Sequence, residues 1–348
     1  AHDGNDNIKW DVDFRTSIDN ISYKQASGAT AKNPDLLTNR LWLGMGYAPD
    51  DNTLFKAKLS YFKAYGDSAN HSQANVNPGQ LTSMTNPQTS DMNYQYFDWV
   101  TNENANDNTV KVKEAYWLYK DTIGTNVPYT ISIGRRPSTD GLGINLREGM
   151  KDNSPLAHTV NVEFDGLSSK FDLDKVTGVK GMSWKLCTGR GLTNAKPRFQ
   201  MDGTDYAADQ NASNTHDTNM YGFIFVPYHN GQYSVSTNWA RADHMIGYDK
   251  ASTYEYMGFT DTELNGMLTA MGSPYTAAQA KIDNASGDGK FKDVGSLDLF
   301  TAMFKAEGIG EGISDYLDDT KLFVSWAQSK TNPKNGYEML GKADSKTG

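Results

Sequence analysis

Residues 8–18 alternate without a break. Ile8, Trp10, Val12, Phe14, Thr16 and Ile18 fall on one parity; Lys9, Asp11, Asp13, Arg15, Ser17 and the following Asp19 fall on the other. A period of two sends successive side chains to opposite faces of a strand, so this segment has one apolar face and one charged face. Its length is the strongest constraint in the chain. A strand in a soluble protein averages about 5–6 residues, whereas a strand that crosses a bilayer at a tilt needs about 9–11. Two folds accommodate such a strand: a membrane-spanning barrel, or a soluble β-sandwich with a long edge strand.

The same alternation returns along the chain. Residues 40–47 place Leu41, Leu43, Met45 and Tyr47 on one side. Residues 54–65 set Phe55, Ala57, Leu59 and Tyr61 against Lys56, Lys58 and Ser60. Residues 110–119 set Val110, Val112, Tyr116 and Leu118 against Lys111 and Lys113, with Glu114 falling on the apolar parity. A carboxylate facing lipid is unfavourable unless it lies near the interface or a β-bulge shifts the register. Further strands are predicted over 129–133, 158–164, 179–187, 220–226, 233–241, 297–303 and 322–326, with a short one around 170–173 inside a connection. Residues 220–226 are apolar on both parities, so their facing is unreadable. The principal strands number about eleven.

The connections decide between the two folds. A moderately long connection over 23–38 and long polar stretches over 66–109, 134–157, 188–218 and 242–295 alternate with shorter ones over 48–52, 121–126, 165–178, 227–231 and 308–319. An up-and-down membrane barrel has short periplasmic turns on one rim and long extracellular loops on the other. A compact soluble domain seldom carries several structureless loops beyond about 12–15 residues. The pattern therefore predicts an all-β, antiparallel up-and-down transmembrane β-barrel occupying 1–348 as one domain. Within the longest loop, residues 261–285 have the composition of a helix. Residues 330–348 read as a long polar loop, so the C-terminal strands of an even-numbered barrel are expected to be missing from this chain. The absence of an initial Met suggests a processed start.

Composition excludes other classes. The formal net charge of -9 argues against a nucleic-acid binder. No apolar run approaches the ~18 residues of a transmembrane helix. The single cysteine, Cys187, rules out an intrachain disulfide framework, a thiolate zinc cluster and a CxxC redox pair. His2, His71, His158, His216, His229 and His244 show no i,i+3 or i,i+4 pairing, so zinc-hydrolase spacing is absent. Asn284, Ser286, Asp288 and Gly289 resemble part of an EF-hand loop but lack its closing Glu. Gly189-Arg190-Gly191 is no dinucleotide fingerprint, and no GxSxG appears. No enzyme, cofactor or metal is indicated.

One segment stands out. Ile133-Gly134-Arg135-Arg136-Pro137 leads into Ser138-Thr139-Asp140-Gly141-Leu142-Gly143, followed by Asn145, Arg147 and Glu148. Two arginines at a strand end fit either a charged constriction that sets selectivity or an anchor from loop to wall carboxylates. Strand alternation, sorted loops and this Gly-Arg-Arg-Pro run resemble Gram-negative outer-membrane porins, and within them an uncharacterised porin-like family. The resemblance implies an outer-membrane location and passive transport.

The expected function is an outer-membrane channel for small hydrophilic or charged solutes, surrounded by membrane lipid and lipopolysaccharide, as a monomer or trimer. A barrel sheath around an electron-transfer partner and a soluble adhesin or glycan binder are the alternatives. The expected pore lining is Asp11, Asp13, Arg15, Lys56, Lys58, Lys111, Lys113, Arg135, Arg136 and Glu163. Lys56, Lys58, Lys111, Lys113, Arg135 and Arg136 would form a basic strip on one wall, with Asp11, Asp13, Asp19 and Glu163 supplying acidic groups elsewhere around the lumen.

Overall fold

A computed structural model of the chain describes residues 7–24, 30–66, 110–136, 163–192, 217–247, 261–270, 292–310, 312–314, 318, 320–334 and 345–347. The alternating segments form strands, since a period of two lets one face bury and the other remain open. They are β1 (Ile8–Lys24), β2 (Thr30–Tyr47), β3 (Thr53–Ala64), β4 (Val110–Ile123), β5 (Val127–Arg136) and β6 (Phe164–Asp172). The second half holds β7 (Ser183–Leu192), β8 (Thr218–His229), β9 (Tyr233–Gly247), β10 (Lys292–Glu307), β11 (Lys321–Pro333) and β12 (Ser345–Thr347). Each pairs antiparallel with its sequence neighbours in a single 12-stranded up-and-down sheet, with β1 and β12 at its edges. Short helices α1 (Asp174–Thr177) and α2 (Asp261–Ala270) lie in connections.

Meandering order sorts the connections by end. Segments 25–29, 65–109, 137–163, 193–217, 248–291 and 334–344 leave one end of the sheet; 48–52, 124–126, 173–182, 230–232 and 308–320 leave the other. The tight turns use side chains as local acceptors. Asp50 Oδ1 accepts from the backbone N–H of Asn52 at 2.9 Å and of Thr53 at 2.7 Å. Asn230 Oδ1 does the same for Gln232 at 3.1 Å and Tyr233 at 2.7 Å. These Asx turns reverse the chain within a few residues.

The sheet is inverted relative to a soluble one. On β1, Trp10 is 63% exposed and Val12 64% exposed, while Asp13, Arg15 and Ser17 are half-buried. The apolar residues Ile131, Ile133, Leu167, Leu186, Phe304, Leu322, Val324 and Trp326 are likewise exposed on one face. The opposite face buries Thr38, Arg40, Ser60, Lys113, Glu114, Ser132, Arg136, Ser168, Ser183, Ser234, Asn238 and Thr301. Ser132 and Ser168 face each other there at 3.1 Å. Aromatic rings line the apolar face toward the short-turn end. Phe55 packs on Trp117 at 5.0 Å, Tyr119 on Tyr129 at 6.4 Å, Trp184 on Phe225 at 5.4 Å and Tyr233 on Phe304 at 6.3 Å.

Glycines line up across three strands. Gly134, Gly166 and Gly189 are direct partners across β5, β6 and β7, on the polar parity. A Cβ at Gly166 would lie 2.1 Å from the Thr188 carbonyl oxygen, and one at Gly189 would lie 2.3 Å from the Phe164 ring. Gly134 adopts φ 125°, which side chains other than glycine rarely tolerate. Three adjacent strands thus carry glycine on one line, the arrangement that glycine kinks use to curve sheets.

Several sequence expectations are corrected. The first two strands extend to Lys24 and from Thr30, so the connection expected over 23–38 shrinks to 25–29; polar residues there still alternate and pair. The sixth strand is Phe164–Asp172, not 158–164, because Gly166, Ser168 and Ser169 pair well across from β5 and β7 despite a weak hydrophobic signal. The expected residues 158–162 lie outside the described residues. Pro227 belongs to β8, not to a turn, and sits at a register shift between Phe225 and Tyr228; a bulge tolerates a residue with no N–H to donate. The C-terminal stretch is not all loop, since β11 runs to Pro333 and β12 pairs with it through Gln328, Ser329 and Lys330. The strand count is therefore twelve among the described residues. The helix expected over 261–285 spans Asp261–Ala270. The Gly-rich run 138–148 and the EF-hand-like 284–289 lie outside the described residues.

Candidate functional site

The charged residues of the polar face concentrate on β1–β5. Alternation and cross-strand partners place Asp11, Asp13 and Arg15 on this face of β1, opposite Gly44, Trp42 and Arg40 of β2. Lys56 and Lys58 follow on β3, and Lys111 and Lys113 on β4. Gly44 gives Asp11 room, since a Cβ there would meet the Asp11 Cβ at 3.3 Å.

A β-bulge in β4 builds the centre of the site. The register with β3 shifts between Lys58 and Leu59, where Lys58 pairs with Glu114 and Leu59 with Val112. Lys113 and Glu114 therefore both point to the polar side, and both are buried. Beyond the bulge the parity is exchanged. Tyr116 becomes buried on the polar face, while Trp117 and Tyr119 are exposed on the apolar face. Tyr116 and Leu118, expected with the apolar set, lie on the polar parity. The anomaly of Glu114 is thereby resolved.

Trp42 is the hub. The Arg40 guanidinium stacks 3.8 Å from its ring centroid, and the ammonium groups of Lys113 and Lys58 lie 5.0 and 5.3 Å away. The negative face of an indole attracts cations. Arg40 and Lys113 are each only 3% exposed, so three carboxylates accompany them. Asp13 takes Arg40 at 3.2 Å, Glu114 takes Lys58 at 3.0 Å, and Glu163 takes Lys113 in a short contact. Nearby, Arg136 lies over the Tyr116 ring at 5.1 Å. Cations outnumber carboxylates on this face of β1–β5: Arg15, Arg40, Lys56, Lys58, Lys111, Lys113, Lys120 and Arg136 stand against Asp11, Asp13 and Glu114, with Glu163 joining them from just before β6. At the two ends of β1, Lys9 and Asp19 add one of each sign.

Three features differ from the sequence expectation. Arg135 and Arg136 are on opposite faces, as neighbours on a strand must be. Arg136 joins the polar side, and Arg135 takes the other parity, its Nε donating to the Lys113 carbonyl at 3.1 Å. Glu163 lies just before β6, buried against Lys113. The acids are thus not all set apart from the basic strip, because Asp13 and Glu163 are ion-paired within the basic cluster. Arg40 and Trp42 escaped notice in the sequence; their signal was their shared parity on β2, opposite the apolar Leu41 and Leu43.

A second polar centre lies at the long-connection end of β9 and β10. Asp293 is buried and accepts from His244 Nδ1 at 2.7 Å, Lys334 Nζ at 2.5 Å and the Gly295 N–H at 3.1 Å. His244 has φ 57°, an uncommon backbone state for a residue with a Cβ. It sits where the β9–β10 register shifts, so this network pins a bulge.

Residues 30–348 match the model of a family described as a protein of unknown function, DUF3373. The chain belongs to this family. No curated protein matches the chain in sequence. A solved structure of Salmonella typhi OmpF in complex with daunomycin is similar over 99% of this chain and 97% of that one, with 10% identity and a TM-score of 0.32. The strand order and the facing of the side chains in this chain itself define its fold.

Proposed function

We propose that this chain forms a transmembrane β-barrel of the bacterial outer membrane that lets small hydrophilic or charged solutes diffuse passively. The observation that carries the reading is the inverted sheet: apolar side chains are exposed on one face and polar ones buried on the other, strand after strand. In water such a surface favours aggregation; in a bilayer it meets lipid. Open sheet edges are excluded from hydrocarbon, so a sheet that spans must close. An aromatic belt at the short-turn end fits the interfacial girdle of outer-membrane barrels. A sheet of this many strands exceeds the roughly eight-stranded barrels whose interior side chains fill completely, which favours a water-filled lumen. Diffusion down a gradient needs no catalysis, cofactor or metal.

The β1–β5 wall gives such a lumen a local positive field although the chain carries -9 overall. Fixed charge at close quarters sets ion preference, so anions are favoured at this height. Planar-bilayer recording of the purified protein in a salt gradient tests both points. Discrete conductance with a reversal potential displaced toward anions is expected. Absence of any conductance, or retention of the protein in solution without detergent, overturns the reading.

A further inference from the structure

Among the buried polar atoms that the hydrogen bonds of the Trp42 cluster leave over, two lie on residues that Lys113 links. The Trp42 Nε1–H, on a residue 8% exposed, has no acceptor among the described residues. Glu163 Oε2, on a residue 4% exposed, has no donor among them. Lys113 ties the two into one locality, with its Nζ 5.0 Å from the Trp42 ring centroid and bonded to the other oxygen of Glu163. Buried polar groups are ordinarily partnered. A donor and an acceptor left over together call for a partner that offers both an acceptor and a donor.

The surrounding charge chooses its class. Arg40, Lys58 and Lys113 converge on one indole, in a wall where cations outnumber carboxylates, so the accepting group is anionic. A carboxylate is planar and takes an N–H and an ammonium together. The donor is then a hydroxyl, because a second cationic group would meet the basic wall. Lys58 and Asp13 remain partly exposed and form the approach to the cluster. We propose that the Trp42 cluster is a binding site for small hydroxylated carboxylates, with the carboxylate on Trp42 Nε1 and Lys58 and a hydroxyl on Glu163 Oε2. This rests on the channel reading and names the solute class of the same wall.

The test compares two monocarboxylates of equal carbon number, gluconate and hexanoate, on the full chain in planar bilayers in potassium chloride. Gluconate is expected to reduce the chloride current at a concentration about tenfold lower than hexanoate, the effect of about one net hydrogen bond. The variant Trp42→Phe keeps a ring for the cations but removes the N–H, and is expected to weaken the gluconate effect by a similar factor. Equal action of the two acids, or an unaltered response in Trp42→Phe, in a protein that conducts, overturns the site. If the protein does not conduct, the channel reading fails, and the site is read separately by tryptophan fluorescence in detergent. A saturable change with gluconate that is lost in Trp42→Phe then upholds the site, and no change overturns it.

Discussion

Charges that meet on the polar face are costly to separate. Lys113 and Glu163 are both almost completely buried and bonded to each other, so removing one strands the other without water. Lys113→Met is expected to lower stability by about 3–5 kcal/mol, whereas Lys113→Met with Glu163→Leu recovers most of that loss. Denaturant unfolding of the single and double variants in lipid vesicles measures the difference, and an additive double variant would show that the pair is not coupled. On the other face the cost is of another kind. Val12→Arg puts a charge where a lipid-facing side chain stands and is expected to destabilise the protein by about 2–4 kcal/mol near the midplane. The glycine line is a third case: with a Cβ only 2.1 Å from the Thr188 oxygen, Gly166→Ala forces the strands apart, at a cost of about 1–3 kcal/mol in the same assay.

Among the elements, β4 carries the most information because one extra residue reverses its facing. Spin labels at 112 and 117 are expected to be reached by a lipid-soluble quencher, and labels at 111 and 116 by a water-soluble one. A regular alternation from 110 to 119 would place 116 with 112 and refute the bulge. Deleting Glu114 would remove the extra residue and leave both halves of the strand facing as they do now, so this variant is expected to fold with Trp117 and Tyr119 still on the apolar face, whereas inserting one residue between Ala115 and Tyr116 would drive them inward and is expected to prevent folding. The turn between β2 and β3 responds to pH. The Asn52 N–H, with that of Thr53, holds the Asp50 carboxyl below the usual carboxylate range. A depressed folded value means that the charged form stabilises the turn. Its contribution is complete above the unfolded carboxylate value near ~4, declines as pH falls through the interval between the two values, and is gone below the folded one. Amide exchange at Asn52 and Thr53 should accelerate on acidification in the native protein and lose this pH response in Asp50→Ala.

For the whole molecule, up-and-down order makes topology a single choice. Connections 65–109, 137–163, 193–217 and 248–291 leave one end of the sheet, so epitope tags at 85, 150, 205 and 275 are expected to be accessible together on intact cells. A tag at Thr125, in the turn between β4 and β5, is expected to be hidden. Tags from the first set divided between the two sides would contradict a meander that spans the membrane.

Residues such as Ile8 to Ile18, Leu41 to Tyr47 and Phe55 to Tyr61 state their facing through local alternation, since a strand leaves each side chain only two directions. The sequence by itself therefore determined the all-β class, the two faces and the sorting of the connections. It also flagged Glu114 as a fault in the alternation. It did not resolve that fault, because a bulge exists only relative to the partner strand, here Lys58 and Leu59 of β3. For the same reason β6 was misplaced: small polar residues such as Gly166 and Ser168 carry almost no hydrophobic signal and are fixed by pairing with β5 and β7. Arg40 and Trp42 became a site only when pairing in register set Asp13, Lys58 and Lys113 around them. Side-chain facing follows from the next residue in the chain, whereas a charge cluster depends on which residues of distant strands lie opposite one another, and only tertiary pairing decides that.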